Sequence, residues 1–132
     1  MASSRAEVRT RAAPAPLGPY SQAVVHAGLI FVSGQIPLDP VHGELVEGGI
    51  EAQARRAFAN LEAVLEAAGS SLDDALRVGI YLTDLTLFPR VNEIYAGLFS
   101  RDPKPARTTV GIAALPKGAL LEVDAIAVPG AR

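Results

Sequence analysis

The order and spacing of the apolar segments predict a two-layer α+β domain. In it, a mixed sheet of five to six strands carries both helices on one face. Two observations support this prediction. Two segments show the 3.6-residue apolar period of amphipathic helices, and five shorter runs have the composition of strands. Along the chain the predicted order is β-β-α-β-α-β-β.

Length and composition limit the classes of protein that fit. The chain has 132 residues, a formal net charge of −2, 49% hydrophobic residues and no cysteine. This length predicts a single domain over residues 1–132. The missing cysteine excludes disulfides and thiolate chemistry, and the charge argues against a general nucleic-acid binder. No apolar run reaches the ~20 residues of a membrane span, and no secretory signal is visible, so we expect a cytoplasmic protein.

The N-terminal part of the chain predicts a loop followed by a β-hairpin. Residues 1–11 are expected to be partly flexible or to add an edge strand. The Pro-rich segment Ala12–Pro19 predicts an extended loop. The runs Ser21–Val25 and Leu29–Ser33 have strand composition, and the intervening His26-Ala27-Gly28 favours a turn between them.

Two amphipathic helices enclose a strand in the middle of the chain. The first helix is predicted from Glu51 to Ala68 and is expected to end at Gly69, which adopts left-handed backbone readily. A strand is predicted over Ala75–Leu82. The second helix follows over Leu87–Phe99, with Thr86 as a candidate N-cap.

The C-terminal part predicts two strands, Arg107–Ala113 and Ala119–Val128, and the turn Leu115–Gly118 between them favours a hairpin. Apolar residues alternate on both faces of the last strand, so the side of the sheet away from the helices also needs a cover. The simplest cover is a second copy of the chain, which predicts a homo-oligomer. The two alternating sets are Leu121, Val123, Ala125 and Ala127, and Leu120, Glu122, Asp124, Ile126 and Val128.

Common catalytic and metal-binding motifs are absent from the sequence. There is no dinucleotide fingerprint, no P-loop and no nucleophile elbow. His26 and His42 lie in different predicted turns without the spacing of a metal pair, so solvated turn residues are the better interpretation. We therefore predict neither a metal site nor a cofactor.

Two charged residues in apolar segments are the candidates for chemistry. Arg107 and Glu122 would come close if their strands formed one hairpin. They fit a structural ion pair, or a site in which the arginine binds a carboxylate and the glutamate takes a proton from water. Tyr20 fits either the same pocket or packing on the sheet. These residues suit the hydrolysis of a small carboxylate-bearing electrophile, or its binding alone.

Eight segments, in order from about residue 12 to 128, form a specific pattern together: Gly18–Gln22, Val32–Pro37, Gln53–Arg55, Asp84–Leu85, Phe88, Val91–Asn92, Pro105–Arg107 and Leu115–Val128. This pattern resembles the Rid family, the reactive intermediate deaminases of the YjgF type. The resemblance implies a chorismate-mutase-like fold and a homotrimer with pockets at the subunit interfaces. It also implies cofactor-free hydrolysis of 2-iminobutanoate and 2-iminopropanoate to 2-keto acids and ammonia.

The resemblance also implies roles for individual residues. Arg107 would bind the substrate carboxylate, Glu122 would orient or deprotonate the attacking water, and Tyr20 would hydrogen-bond that water or the substrate. Asp124 stands where many relatives have a second glutamate and is expected to be secondary. Five further residues are expected to line the pocket: Ser33, Arg77, Thr109, Phe88 and Ile36. The alternative for Ser33 is a turn at the end of its strand, and the alternative for Phe88 and Ile36 is core packing.

Three alternative functions remain open beside the deaminase. A non-catalytic protein of the same fold could bind keto acids or related small carboxylates, although the presence of Arg107 favours the enzyme. An RNA-cleaving or translation-inhibiting role suits the acidic balance poorly. Chorismate-mutase chemistry would rest on fold analogy alone. The expected partners are a small 2-imino or 2-keto acid and further copies of the chain, with no nucleic acid and no membrane.

Overall fold

A computed structural model describes residues 4–130, which form a mixed six-stranded sheet with two helices on one face. The predicted two-layer α+β class is therefore confirmed. Residues 1–3, the start of the predicted flexible N-terminus, lie outside the described range. The strands are β1 (Ala6–Val8), β2 (Ala23–His26), β3 (Leu29–Gln35), β4 (Ala75–Leu82), β5 (Ala106–Gly111) and β6 (Leu121–Ala127), and the helices are α1 (Ile50–Ala67) and α2 (Phe88–Leu98).

The sheet order is β1-β2-β3-β6-β4-β5. Strands β4 and β5 pair in parallel, and the other neighbours pair antiparallel. The predicted hairpin of β2 and β3 is confirmed: Ala27 and Gly28 both have positive φ, 51° and 78°, as a two-residue hairpin turn requires. Further along β3, the register with β6 shifts between Val32 and Gln35.

Helix α1 places its apolar stripe on the sheet and on α2. Phe58, Leu61 and Leu65 are almost fully buried, and the helix stops at Gly69, whose φ is +79°. The prediction of Thr86 as the N-cap of α2 is wrong. Asp84 instead accepts a hydrogen bond from the Thr86 amide and caps a short 3₁₀ turn ahead of the helix.

The predicted C-terminal hairpin is also wrong. Strand β5 pairs with β4, and β6 lies on the other side of β4, between β4 and β3. The physical reason is that β4, α2 and β5 form a β-α-β unit, in which the crossover helix brings two strands side by side in parallel. The helix-facing residues of β6 are almost fully buried, which fits its central place in the sheet.

The two faces of the sheet differ in what covers them. Leu121, Val123, Ala125 and Ala127 of β6 are buried under the helices. The other side, here called the open sheet face, is partly exposed and mixes apolar with charged side chains. The open sheet face carries Phe31, Ser33, Arg77, Tyr81, Val110, Glu122, Asp124 and Ile126.

Within the described residues, no helix is long and apolar enough to cross a membrane.

Candidate functional site

Tyr20, Ser33 and Glu122, three of the residues predicted from the sequence, line one open cavity of about 510 Å³. We call it the carboxylate cavity. Its walls come from the loop before β2, from the middle of β3 and from β6. Leu17, Gly18, Pro19, Gly34 and Pro116 complete the lining.

Local hydrogen bonds hold the loop wall of this cavity. The Tyr20 hydroxyl oxygen accepts a 3.0 Å hydrogen bond from the Leu17 amide, and the Ser33 hydroxyl donates to the Ser21 carbonyl at 2.6 Å. The buried side chain of Gln22 holds the preceding segment of the chain, because its Oε1 accepts a 2.7 Å hydrogen bond from the backbone N–H of Thr10. Tyr20 stays 48% exposed, so its ring remains available to a ligand.

Gly34 makes room for the Glu122 carboxyl group. A Cβ atom at position 34 would lie 2.6 Å from Glu122 Cδ and 2.7 Å from Oε2, closer than real Cβ contacts come. Any larger residue at position 34 would therefore push the carboxylate aside. This glycine lies in the Ser33-Gly34-Gln35 segment, but its close approach to β6 could not be read from the sequence.

The environment of Glu122 favours its protonated form. Burial raises the pKa of this carboxyl above its ordinary value, and the nearby negative charge of Asp124 raises the pKa further. Within residues 4–130 no hydrogen bond to Glu122 is found. A carboxylate of this kind is a better proton acceptor than a solvated one, which suits a general base near neutral pH.

Arg107 lies in a second cluster, which we call the arginine site. Its Nη1 donates to Asn92 Oδ1 at 2.8 Å, and its Cζ lies 5.1 Å from the Phe88 ring centroid and 4.7 Å from that of Tyr95. The three contacts all come from α2, and the cation–π contacts orient the guanidinium plane. Of the five N–H donors of a guanidinium, the hydrogen bonds in the described range use one, which leaves a fork for an anionic ligand.

The carboxylate cavity and the arginine site do not meet within one chain. Arg107 contacts α2 on the helix side of the sheet, whereas Glu122 lies on the open sheet face. Strand β4 also separates their strands, by two strand spacings of about 10 Å in total. The expectation that Arg107 and Glu122 approach each other across a hairpin is therefore wrong for a single chain.

The other predicted pocket residues are divided between these places. The Phe88 ring lies against the Arg107 guanidinium. Thr109 lies two positions after Arg107 on β5, and its buried hydroxyl has no hydrogen-bond partner in the described range. Arg77 lies on the open sheet face, near Tyr81. Ile36 is packed in a small hydrophobic cluster with Leu38 and Ala119.

Gly34, Asn92 and Tyr95 have places in the site that sequence reasoning did not assign. For Asn92, the sequence feature that could have assigned it to the site is its position in a segment that resembles the Rid family. Tyr95 belongs to the apolar stripe of the second predicted helix, and that pattern indicates only core packing. Its ring is indeed buried against Phe58 and Phe99, while the same ring supports Arg107.

The two histidines lie at the surface, but only His42 is in a turn, whereas His26 is the last residue of β2. His42 Nδ1 is 2.7 Å from Asp39 Oδ2, and His26 Nδ1 is 3.1 Å from the Ser4 hydroxyl. In the part of the chain that the structure describes, no three His, Asp or Glu side chains converge as a metal site would require.

The fold and these two clusters define a small α+β protein with an arginine fork on one side of its sheet and a half-buried carboxyl group on the other. A family model described as Endoribonuclease L-PSP matches residues 10–129. A Rid family protein from Yersinia pestis superimposes with a TM-score of 0.91 at 43% identity, covering 95% of this chain and 99% of its own. The chain belongs to the Rid family.

Other relatives carry more specific or more general names. A 2-iminobutanoate/2-iminopropanoate deaminase from Mus musculus is 44% identical over 126 residues, covering 96% of this chain and 93% of the relative. A protein from Pyrococcus horikoshii, 48% identical over 118 residues with 89% and 93% covered, is named only a RutC family protein. The structure of E. coli TdcF with bound serine matches at TM-score 0.87 and 36% identity, covering 95% and 99%.

Proposed function

We propose that this chain hydrolyses reactive 2-imino acids, such as 2-iminobutanoate and 2-iminopropanoate, to 2-keto acids and ammonia. The observation that carries the proposal is Glu122: a half-buried carboxylate of raised pKa, facing a cavity with the Tyr20 and Ser33 hydroxyls. Relatives named as deaminases for these two imines, 41% and 44% identical, support the same reaction.

The reaction needs one carboxylate anchor and one proton-handling group. Arg107 binds the substrate carboxylate through its guanidinium fork. Water then attacks C2 of the protonated imine, and Glu122 takes the proton that the water loses. Glu122 returns this proton to the nitrogen of the tetrahedral intermediate, and the C2–N bond breaks to release ammonia. The hydroxyl at C2 then loses its proton to Glu122 as C2 becomes a ketone, and Glu122 passes that proton to the released ammonia, which leaves as ammonium. Tyr20 and Ser33 hydrogen-bond the water or the substrate.

We propose further that the working site forms between copies of the chain in a homotrimer. Arg107 and Glu122 lie on opposite sides of one sheet, so both can reach one small substrate only if they come from different chains. The open sheet face supplies a surface for such contacts: Phe31 is 41% exposed there and Val110 37% exposed. In this arrangement the arginine site of one copy faces the carboxylate cavity of the next.

A semicarbazide competition assay tests the activity. An amino-acid oxidase or threonine dehydratase generates the imine, semicarbazide traps what survives, and added protein lowers the yield of semicarbazone if it hydrolyses the imine. Arg107→Ala is expected to abolish the effect. Arg90→Ala is the matched control, because Arg90 also lies on α2 but pairs with Glu51 at the surface, where such a pair contributes little.

A binding function without turnover is the second candidate. The serine-bound TdcF structure favours it, because that relative holds a small ligand with a carboxylate. Calorimetry with 2-ketobutanoate separates the two candidates. Binding that depends on Arg107, together with an unchanged semicarbazone yield, would replace the deaminase by a carboxylate-binding protein.

A further inference from the structure

Asp124 lies on the open sheet face, two residues beyond Glu122 on the same side of β6. Its Oδ2 accepts a 3.0 Å hydrogen bond from the hydroxyl of Tyr81 on β4. Its Oδ1 is buried and has no partner in the described part of the chain. Tyr81 is also the register partner of Glu122, so the tyrosine lies beside both carboxylates.

Gly79 accommodates this arrangement. It pairs with Asp124 across β4 and β6, and a Cβ at position 79 would overlap Asp124 Oδ1 and lie 2.8 Å from the Tyr81 hydroxyl oxygen. Gly79 has no positive φ that would call for glycine, so the missing side chain serves space rather than backbone conformation. The position of Asp124 therefore depends on two residues of the neighbouring strand.

The charged and titratable groups around Glu122 can be named strand by strand. Strand β6 contributes Asp124, β4 contributes Tyr81 and Arg77, and the loop before β2 contributes Tyr20. The facing residues of β3 carry no titratable group. In the proposed trimer, Arg107 of another copy adds a positive charge.

Only Asp124 among these groups brings a negative charge to Glu122. Its charge acts on Tyr81 as well: burial raises the pKa of the Tyr81 hydroxyl, and Asp124 raises this pKa further. The hydrogen bond from Tyr81 thus holds the Asp124 carboxyl group in place beside Glu122.

We propose that Asp124, held by Tyr81 and accommodated by Gly79, is a positioning residue whose charge makes Glu122 a stronger base toward the attacking water. This role rests on the proposed deaminase function. Asp124 does not touch substrate; it acts through Glu122. A like charge close to a carboxylate disfavours its ionised form, so the proton that Glu122 takes from water is held more firmly while Asp124 is ionised.

The pH dependence of kcat tests this role. The acidic limb of the profile reports Glu122, because only the ionised carboxylate accepts a proton. Asp124→Asn removes the like charge, so the limb is expected to move to lower pH. The loss of plateau kcat should stay well below the ~10²–10⁴-fold expected for removal of an acid–base group, as in Glu122→Gln. Tyr81→Phe should move the limb in the same direction but less far.

Glu47→Gln is the matched control, since it removes one carboxylate charge from an exposed residue of the loop before α1. Its acidic limb is expected to coincide with that of the unmodified protein. An unmoved limb in both Asp124→Asn and Tyr81→Phe would overturn the proposal. If Asp124→Asn does not fold, Tyr81→Phe decides alone, because it removes only the hydroxyl.

A direct titration separates this proposal from the proposed function. The Glu122 carboxyl carbon, in protein labelled with ¹³C-glutamate and assigned by its absence in Glu122→Gln, reports the protonation of Glu122 without turnover. If the protein hydrolyses no imine, the deaminase proposal fails, and a pKa of Glu122 that falls in Asp124→Asn still supports the electrostatic coupling. A pKa that stays the same in Asp124→Asn overturns the role of Asp124 even in an active enzyme.

Discussion

The position of the Glu122 carboxyl depends on a single hydrogen atom, the side chain of Gly34. The distances of 2.6 Å and 2.7 Å from a Cβ at this position leave no room for a methyl group without movement of the carboxylate. Gly34 does not have a positive φ, so alanine fits the backbone there. A substitution at this position thus changes the site while leaving the fold intact.

Gly34→Ala is expected to lower kcat for imine hydrolysis by about 10²-fold, the loss typical of a catalytic group displaced by about 1 Å. The semicarbazide assay measures the loss, and the far-UV circular dichroism should remain unchanged. Gly97→Ala is the matched control. No atom lies within 4 Å of a Cβ at position 97, and alanine in place of this α2 glycine should keep the activity and raise stability by about 1 kcal/mol. Full activity of Gly34→Ala would contradict the proposed role of Glu122.

Asn92 controls the direction of the Arg107 fork through the 2.8 Å hydrogen bond between them. Asn92→Ala is expected to raise KM about tenfold, because a hydrogen bond to a charged group contributes about 1.5–3 kcal/mol, while kcat changes little. Asn92→Asp should raise KM further, since a second carboxylate competes with the substrate for the guanidinium. Initial rates at varied imine concentration measure both. An Asn92→Asp variant with unchanged KM would show that the substrate carboxylate binds elsewhere.

At the scale of elements, the segments that carry their own periodic signal were predicted well. The stripe of α1 placed the helix within one residue of Ile50–Ala67, and Ala75–Leu82 matches β4. The segment His26-Ala27-Gly28 between two runs of strand composition predicts the hairpin of β2 and β3, and the positive φ of Ala27 and Gly28 in the structure agrees with it. These signals lie within one element or one short turn.

The pairing of the C-terminal strands was not predicted because strand order depends on contacts between distant segments. The short connection after β5 suggested a hairpin with β6, yet β4 lies between them. Two signals favour the observed order instead. The alternation of β4, α2 and β5 favours parallel pairing, and the mostly apolar composition of the predicted strand Ala119–Val128 favours a central strand. The predicted hairpin also implied that Arg107 and Glu122 lie close together. Their separation depends on strand order, which local periodicity does not contain.

Gln22, the residue just before β2, anchors the loop that carries Tyr20 through side-chain hydrogen bonds to Thr10 and Pro14. Its buried side chain accepts from the Thr10 amide and donates to the carbonyls of Thr10 and Pro14, at 2.7, 3.0 and 2.9 Å. Gln22→Ala is expected to lower the free energy of unfolding by about 1–3 kcal/mol and to increase hydrogen exchange at the Thr10 amide. Urea unfolding and exchange measured by NMR check the two effects.

Asn60→Ala provides the comparison for Gln22→Ala. Asn60 is an equally buried amide that fastens a different loop, by hydrogen bonds to the carbonyls of Ile36 and Leu38 at 3.1 and 3.0 Å. It should cost similar stability but leave exchange at Thr10 unchanged. Faster exchange at Thr10 in both variants would mean that the loop follows global stability rather than the contacts of Gln22.

At the scale of the whole molecule, the sheet itself keeps the two halves of the site apart. The arginine site lies beside α2, and the carboxylate cavity lies on the open sheet face. A small imino acid is far shorter than the thickness of a sheet with its side chains, so it cannot contact both halves of one chain. The proposed trimer, a ring of identical copies joined by heterologous contacts, would solve this geometry, because each copy would present its arginine site to one neighbour and its carboxylate cavity to the other.

Subunit mixing tests this arrangement through the amount of activity recovered. Arg107→Ala and Glu122→Gln chains are each expected to be inactive alone. When equal amounts are unfolded and reassembled together, an interface is intact only if it joins the arginine of one variant to the glutamate of the other. Random assembly of a ring with heterologous interfaces gives this pairing at about a quarter of the interfaces, so about a quarter of the original activity should return. A site contained within one chain would recover none, because every chain then carries a defect. Each variant reassembled with itself is the control, and the protein concentration is kept constant, so that recovery reports the pairing of the two halves rather than the yield of refolding.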